Sequence, residues 1–171
     1  MSTTLLQQIG DTIAAEFSDL PDIEQATRVL LRLLLAALLG GMLGIEREAR
    51  GKAAGVRTHM LVAMGAALFV LVSQQSGMGA DDMSRVVQGV VAGVGFLGAG
   101  AILKLDDEEK VKGLTTAAGI WLTAAIGVAA GMGREATAVL SALLALVIFT
   151  LVPKLEVLVE RWSDRRGRPR N

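Results

Sequence analysis

The chain has 171 residues, of which 52% are hydrophobic and only 4% aromatic, and its mean hydropathy is +0.51. The formal net charge is zero, so the charge balance gives no indication of nucleic-acid binding, and the absence of cysteine excludes disulfides and thiolate metal sites. Uncharged runs of about 18 residues or more recur, which is long enough for an α-helix to cross a bilayer. The sequence therefore predicts an all-α polytopic membrane protein.

The first segment, residues 1–27, is predicted to contain an amphipathic helix. Its apolar residues recur at helical spacing between Leu5 and Leu20, Ser2 to Thr4 offer an N-cap, and Pro21 breaks the pattern. The polar side of this helix carries acids and no Lys or Arg, which does not suit an anionic cytoplasmic leaflet. We therefore expect the segment on the outer side of the membrane, lying on the bilayer or packed on the bundle.

Five apolar spans are predicted within residues 28–153, which form the transmembrane domain. Their approximate bounds are 28–45, 58–72, 86–105, 114–132 and 136–152. Arg32 lies in the first turn of span 1, where we expect its side chain to extend to the outer surface; a charge facing a polar cavity is the alternative. Pro153 is expected to end or kink span 5, and residues 154–171 to form an amphipathic cytoplasmic segment with a basic tail.

Small residues predict how the spans pack. Span 3 contains a small-xxx-small pair, which permits close helix approach in a membrane, and span 4 is slim apart from one tryptophan. We expect spans 1 to 4 to form a tight core with span 5 at the lipid-facing edge. Packing of span 3 across a homodimer is a further hypothesis. The predicted helix-packing residues are Gly89, Gly93, Gly95, Gly98, Gly100, Thr115, Thr116 and Trp121.

The distribution of basic residues predicts the orientation in the membrane. The loops after spans 1 and 3 carry four and three Lys or Arg residues and the C-terminal segment carries six, whereas the loops after spans 2 and 4 carry one each. Lys and Arg beside a span stay on the cytoplasmic side. We therefore expect the N-terminus outside and the C-terminus in the cytoplasm.

The loop between spans 1 and 2 contains the densest mixture of charges. Glu46 and Arg50 are spaced i, i+4, Thr58 is a candidate N-cap for span 2, and Glu46 is expected to meet Arg57 or His59 across the turn. One interpretation is an exposed turn with weak ion pairs. The other is a partly buried cluster at the cytoplasmic rim that docks a ligand or a protein. The candidate polar cluster comprises Glu46, Arg47, Glu48, Arg50, Arg57, Thr58 and His59.

Residues that would support catalysis or a resident cofactor are sparse. His59 is the only histidine, and no glycine-rich stretch is followed by the Gly-Lys-Ser/Thr of a P-loop. We therefore expect neither an enzyme nor a bound cofactor. The span interiors also lack the carboxylates that a cation transporter would be expected to carry. The acidic loops at 81–82 and 106–109 are expected to hold hydrated magnesium weakly at most, with solvated loop charges as the alternative.

Four ordered stretches closely resemble the MgtC/SapB (YhiD-like) family of bacterial inner-membrane proteins. They lie at 38–48, 55–62, 93–102 and 111–121. The resemblance implies a virulence-related role in magnesium-limited growth, acid or phosphate stress and survival within host cells. It also implies regulatory action on other membrane proteins, such as the F-type ATP synthase or a phosphate-sensing kinase. A cation transporter or channel, for example for magnesium, is the alternative.

The position of the C-terminus suggests which form of the family the chain resembles. The virulence-type members carry a soluble C-terminal domain of the ACT type, whereas this sequence ends 18 residues after Pro153. The resemblance is therefore to a short, membrane-domain form, in which activities that depend on the soluble domain are in doubt.

Overall fold

The computed structural model describes residues 4–18, 22–102 and 112–166, and this part of the chain is all-α, with six helices and no strand. The helices are α1 (Leu5–Glu16), α2 (Ile23–Ala49), α3 (Val56–Gln75), α4 (Ala80–Gly100), α5 (Leu114–Gly131) and α6 (Glu135–Arg166). Helices α2 to α6 are each long and apolar enough to cross a membrane, which confirms the five predicted spans. Pro153 does not end the last helix, because α6 continues through it to Arg166.

The chain divides into two compact units, residues 1–31 and 32–171, and the boundary falls inside α2. In the first unit, Thr4 precedes α1, and its backbone N–H donates to Oε1 of Gln7 at 3.2 Å, as expected for a capped amphipathic helix. The start of α2 is fixed by Asp22, whose carboxylate accepts a hydrogen bond from the Gln25 backbone N–H at 2.7 Å.

The centre of the second unit is the contact between α3 and α5. Gly127 and Gly131 of α5 lie against the backbone of Ala63 and Ala67 of α3, and a Cβ built on Gly131 would lie 2.6 Å from the Ala67 carbonyl oxygen. Glycine is therefore required for the two helices to approach at backbone distance. This confirms the prediction that small residues in span 4 permit close packing.

Helices α2 and α6 complete one side of the core. The buried stripe of α6 consists of Ala138, Ala142, Ala145 and Phe149, which pack with Leu39 and Leu43 of α2 and with the alanines of α3. The Leu-rich face of α6 remains exposed, as expected for lipid contact. Placing span 5 at the edge was therefore incomplete, because its alanines bring one face of α6 into the core.

Helix α4, rather than α6, is the least buried of the spans. Only 11% of its most apolar window is buried, compared with 50% for α5. It contacts the bundle through Val94 and Gly98, and a Cβ on Gly98 would lie 3.6 Å from the Cβ of Ala117. For the other predicted packing glycines of this helix, no described atom outside the helix's own backbone lies within 4 Å of a built Cβ: Gly89, Gly93, Gly95 and Gly100.

These four glycines therefore do not pack against a described residue of another helix, and their predicted role in packing, which includes packing across a homodimer, stays a prediction. A physical reason is that a valine buries more apolar surface than a glycine, so α4 turns valines toward α3 and α5. Of the packing residues predicted on span 4, Thr116 is buried and Thr115 is exposed. Trp121 is half-exposed and lines a small cavity against α4.

Candidate functional site

The turn between α2 and α3 is closed by Glu48. Helix α3 begins at Val56, and Oε2 of Glu48 accepts a hydrogen bond from the Val56 backbone N–H at 2.9 Å. The first N–H groups of a helix have no partner within it, so the Glu48 carboxylate satisfies one of them. Its negative charge also interacts favourably with the positive end of the helix dipole. Thr58 lies inside the first turn and is exposed. Its prediction as the N-cap is therefore wrong, because the preceding helix supplies the cap.

Glu46 lies near the end of α2, between two arginines. Its side chain is 10% exposed; Oε2 is 3.7 Å from Nη1 of Arg47, and Oε1 pairs with Nε of Arg50. The i, i+4 pair expected from the sequence is thus formed, because α2 continues helically to Ala49. Among the described residues Glu46 forms no ion pair with Arg57, which is exposed on α3, so that predicted contact is not made.

Arg47 is a buried charge, with only 3% of its side chain exposed. Its guanidinium carbon lies 4.6 Å from the centroid of the Phe149 ring on α6. A desolvated cation over an aromatic face gains about 2 kcal/mol. The buried Nε and Nη2 atoms of Arg47 nevertheless have no hydrogen-bond partner among the described residues. The guanidinium thus keeps two donors that the surrounding helices do not use.

His59 is fully buried in the first turn of α3. Its Nδ1 lies 3.0 Å from the carbonyl oxygen of Gly55. A carbonyl oxygen only accepts, so Nδ1 carries the proton and Nε2 of the neutral ring presents a lone pair. That Nε2 atom is buried without a hydrogen-bond partner in the described part of the chain. His59 therefore offers an unused acceptor, whereas Arg47 offers unused donors.

Two glycines allow His59 to occupy this position. A Cβ on Gly40 of α2 would lie 2.5 Å from the His59 carbonyl oxygen, so α2 passes directly over the start of α3. A Cβ on Gly119 of α5 would lie 3.2 Å from Cζ of Phe149 and 3.6 Å from Nε2 of His59. Because Gly119 has no side chain, His59 and the Phe149 ring both lie close to it. Helices α2, α3, α5 and α6 therefore all contribute to one polar cluster.

Sequence reasoning identified Glu46, Arg47 and His59 but missed Phe149 and Gly119. Phe149 lies 90 positions from His59 on the last span, and nothing in its local sequence indicates an arginine above its ring. Nothing in the sequence distinguishes Gly119 from the other small residues of span 4. A weak signal existed for Phe149, because it is the single aromatic residue among the Leu, Val and Ala residues of that span.

Arg32 occupies a second polar site in the same unit. Its Nη1 donates to Oε1 of Gln74 at 3.0 Å and to the carbonyl oxygen of Gly131 at 3.1 Å, and its Nε lies 3.6 Å from Oε1 of Glu135. The side chain is 17% exposed. Instead of extending to the surface as expected, Arg32 ties together the ends of α3 and α5 and the start of α6.

Metal ligands do not converge in the described residues, where no group of three His, Asp or Glu side chains is placed to hold an ion. Asp81 and Asp82 are exposed in the first turn of α4, where negative charges interact favourably with the helix dipole. The acidic stretch at 106–109 lies outside the described residues. Weak magnesium binding at these loops stays a prediction.

Comparisons with known proteins place this arrangement in context. The MgtC family model matches residues 33–158, a range that contains Arg47, His59, Gly119 and Phe149. The protein SrpB of Synechococcus elongatus is 52% identical over 113 residues, covering 60% of this chain and 62% of SrpB. The Escherichia coli K12 protein named putative magnesium transporter YhiD is 43% identical over 133 residues, covering 74% of this chain and 61% of YhiD.

A third relative, the protein MgtC of Brucella abortus, is 42% identical over 132 residues, covering 77% of this chain and 54% of MgtC. The matched region thus amounts to between about half and three fifths of the length of these relatives. No solved structure matches the chain.

Proposed function

The chain belongs to the MgtC family, and on that premise we propose that it is a non-enzymatic regulatory protein of the bacterial inner membrane that acts on other membrane proteins during magnesium, acid or phosphate stress. We propose the orientation that the basic loops predict, with the N-terminus in the periplasm and the C-terminus in the cytoplasm. In this orientation the cluster of Glu46, Arg47 and His59 lies at the cytoplasmic end of the bundle.

The observation that carries this proposal is the packing of the central helices. Gly127 and Gly131 bring α5 onto the backbone of α3, and Gly40 brings α2 onto it from another side. Magnesium gives up its waters reluctantly, so a pathway for it would need room for a hydrated ion and oxygen ligands along its length. Helices α2, α3 and α5 leave no such room between them, and the cavity of about 570 Å³ between α3 and α4 is lined by apolar residues and glycine without an oxygen ligand from a side chain, which supports a regulator over a transporter.

The charges around the turn support a protein partner at this end. Lys52 and Arg57 are exposed near the buried Arg47, and the partly exposed Arg50 pairs with Glu46. An exposed group of like charges attracts an oppositely charged surface and increases the rate of association with it. We therefore propose that an acidic surface of another membrane protein docks here.

Transport of magnesium is the second candidate, and one feature of the site favours it. Both carboxylate oxygens of Glu46 are buried, and carboxylate oxygens suit magnesium. The two arginines beside Glu46 oppose the approach of a cation. Transport therefore ranks below regulation, although one relative is named a putative magnesium transporter.

A flux assay separates the two candidates. The full chain is reconstituted into liposomes that contain a magnesium-sensitive dye, beside Glu46→Ala and Asp82→Ala, the latter replacing an exposed carboxylate. We expect uptake no faster than in empty liposomes for all three proteins. Robust uptake that Glu46→Ala abolishes and Asp82→Ala preserves would show that the chain is a transporter.

A crosslinking pull-down from magnesium-starved membranes tests directly for a protein partner. We expect the tagged chain to capture a larger membrane protein. Arg57→Glu should weaken the capture, because it reverses a charge beside the cluster. Arg85→Glu is the matched control, since Arg85 is also exposed but lies near the start of α4, away from the turn between α2 and α3. Equal capture by both variants would contradict docking at the Arg57 end of the bundle.

A further inference from the structure

The cavity between α3 and α4 is an apolar groove that opens to the surroundings of the bundle. Its volume of about 570 Å³ lies within the range of about 300 to 1,000 Å³ that is usual for ligand pockets. Its walls include Leu61, Phe69 and Leu97, whose exposed fractions lie between 50% and 63%. Gly89 and Gly93 of α4 also line it, and no described atom outside the helix's own backbone lies within 4 Å of a Cβ built on either. The groove can therefore take up an apolar group from the bilayer.

On α3, the residues that line the groove form a stripe that leads to a positive charge. Arg57, Leu61, Gly65 and Phe69 follow one another at four-residue intervals, so each step turns the stripe by only about 40° around the helix. The last three line the groove, and Arg57 is exposed one turn before Leu61. The Arg57 side chain forms no hydrogen bond or ion pair with any residue that the structure describes. Arg57 therefore offers its charge to a ligand at one end of the groove.

The Arg57 end of the groove carries a second basic residue. Ala54, in the turn between α2 and α3, is buried in one cluster with Val94, which lines the groove. Lys52 is exposed two residues before Ala54, so its charge lies at the same end. The acid of this turn, Glu48, is hydrogen-bonded to the first N–H of α3. Basic residues therefore outnumber acids at this end.

The opposite end of the groove has the reverse charge balance. Arg85 is exposed on α4, four residues before Gly89, and therefore one turn beyond the groove. Asp81 and Asp82 lie in the turn before it, so two acids oppose one base. An anion is attracted to the Arg57 end and repelled from the Arg85 end.

The depth of the groove indicates which kind of molecule fits it. Arg57 and Phe69 are twelve residues apart, which is about 18 Å along a helix. Half of a hydrocarbon core of about 30 Å is about 15 Å. One acyl chain of a single leaflet thus reaches from the charge to the far end of the groove. A transmembrane helix of another protein would instead need a groove across the whole core.

We propose that this groove binds an anionic phospholipid, with one acyl chain between α3 and α4 and the phosphate on Arg57. A guanidinium can donate two parallel hydrogen bonds to a phosphate, and Lys52 adds a second positive charge. The proposed orientation places this end of the bundle in the cytoplasm, where the leaflet is anionic. An acidic protein partner would approach the same arginine, so the test uses the purified chain, without a partner.

Quenching by brominated lipids tests the site in a bilayer. Phe69→Trp places an indole on the groove wall, and Trp121→Phe and Trp162→Phe remove the two native tryptophans. The full chain is reconstituted into phosphatidylcholine that contains a small fraction of brominated phosphatidylglycerol or of brominated phosphatidylcholine. We expect the anionic lipid to quench the indole at about fivefold lower mole fraction, which is the effect of one basic residue near a headgroup.

Two pairs of variants in this background test the contacts. Arg57→Gln should lower the ratio of the two mole fractions to about one, whereas Arg85→Gln, its control at the other end, should leave it unchanged. Gly93→Leu fills the groove and should also remove the preference. Gly95→Leu is its control, because Gly95 is equally open but lies about 200° further around α4. Circular dichroism and gel filtration in detergent check that all four variants remain folded.

Several outcomes would overturn the proposal. Equal quenching of the Phe69→Trp protein by the two brominated lipids would show that the groove does not select an anionic headgroup. An equal loss of preference in Arg57→Gln and Arg85→Gln would show attraction by the overall charge. The same preference in folded Gly93→Leu and Gly95→Leu would show that the acyl chain lies outside the groove. An indole that neither lipid quenches would show that a protein segment covers it.

Discussion

Arg32 and Arg47 of helix α2 lie in different environments at the two ends of the second unit. Arg32 and Arg47 are fifteen positions apart, which is about 22 Å along a helix. Both are largely buried. Arg32 donates two hydrogen bonds to other helices, and its buried Nε, which has no hydrogen-bond partner among the described residues, lies 3.6 Å from Oε1 of Glu135. Arg47 lies over the Phe149 ring, and both its Nε and its Nη2 are buried without a hydrogen-bond partner in the same part of the chain. The sequence alone would describe both as arginines near the ends of one span.

The comparison indicates that Arg32 has a structural role, linking three helices, whereas Arg47 belongs to the candidate functional site. Arg32 satisfies the last carbonyl of α5 at Gly131 and approaches Glu135 at the start of α6, so its charge favours a helix end and pairs with a carboxylate. Two donor atoms of Arg47 have no hydrogen-bond partner among the described residues, and a buried donor without a partner costs about 1 to 3 kcal/mol of stability. A charge kept in the interior at this cost calls for a role other than stability.

Replacing Arg32 should give the largest effect on folding. Arg32→Met removes two hydrogen bonds from a charged group and leaves the Gly131 carbonyl without its partner, so we expect a loss of about 3 kcal/mol in the free energy of unfolding. Equilibrium unfolding of the reconstituted protein by SDS titration measures it. Arg32→Lys should recover only part of the loss, because an ammonium cannot reproduce the planar fork. A loss below about 1 kcal/mol for Arg32→Met would show that the tie does not hold the helix ends.

Glu48 tests the Arg47 end of the bundle with a smaller expected effect. Glu48→Ala removes the hydrogen bond to the Val56 N–H, and loss of a helix cap costs about 1 kcal/mol. Glu48→Gln keeps an acceptor but loses the charge beside the helix N-terminus, so it should lie between alanine and wild type. The same SDS titration ranks the three proteins. If alanine and glutamine proved equally destabilising, charge rather than hydrogen bonding would be the cause.

The two glycine pairs show how far the sequence could predict the fold. Gly40-xxx-Gly44 on span 1 and Gly89-xxx-Gly93 on span 3 have the same spacing. The first pair lies against the start of α3 at backbone distance, whereas no described atom of another helix lies within 4 Å of a Cβ built on either glycine of the second pair. Spacing predicts that a helix face permits close approach, but it does not say which helix approaches, because that depends on how the whole bundle is arranged.

The candidate site shows the same limit. The i, i+4 pair of Glu46 and Arg50 was predictable because both residues lie on one helix, where geometry fixes their distance. The contacts of Arg47 with Phe149 and of Gly119 with His59 join spans far apart in sequence. Such contacts form because the stripe of alanines on α6 packs in the core. That stripe is hard to recognise in the sequence, because span 5 is also rich in Leu and Val.

Arg47→Met should have the smallest effect on folding and thereby sharpens the contrast with Arg32. Methionine has a similar volume and packs well against an aromatic ring, so it replaces the contact with Phe149 while removing two unbonded donors. Glu46 keeps its ion pair with Arg50. Removing one partner of a buried ion pair is costly when the other charge is left alone, but here Arg50 remains beside Glu46, so the free energy of unfolding should change by less than about 1 kcal/mol.

The capture of a partner should nevertheless fall in Arg47→Met, because the charge that the bundle holds at a cost is gone. The pull-down from magnesium-starved membranes measures the capture, and the SDS titration on the same preparations measures folding. Arg32→Met is the matched control: it lowers stability but leaves the Arg47 cluster intact, so the protein that remains folded should still capture the partner. If Arg47→Met lost several kcal/mol of stability, or lost stability and capture together, Arg47 would be a structural tie like Arg32, and the two ends of the bundle would not differ in role.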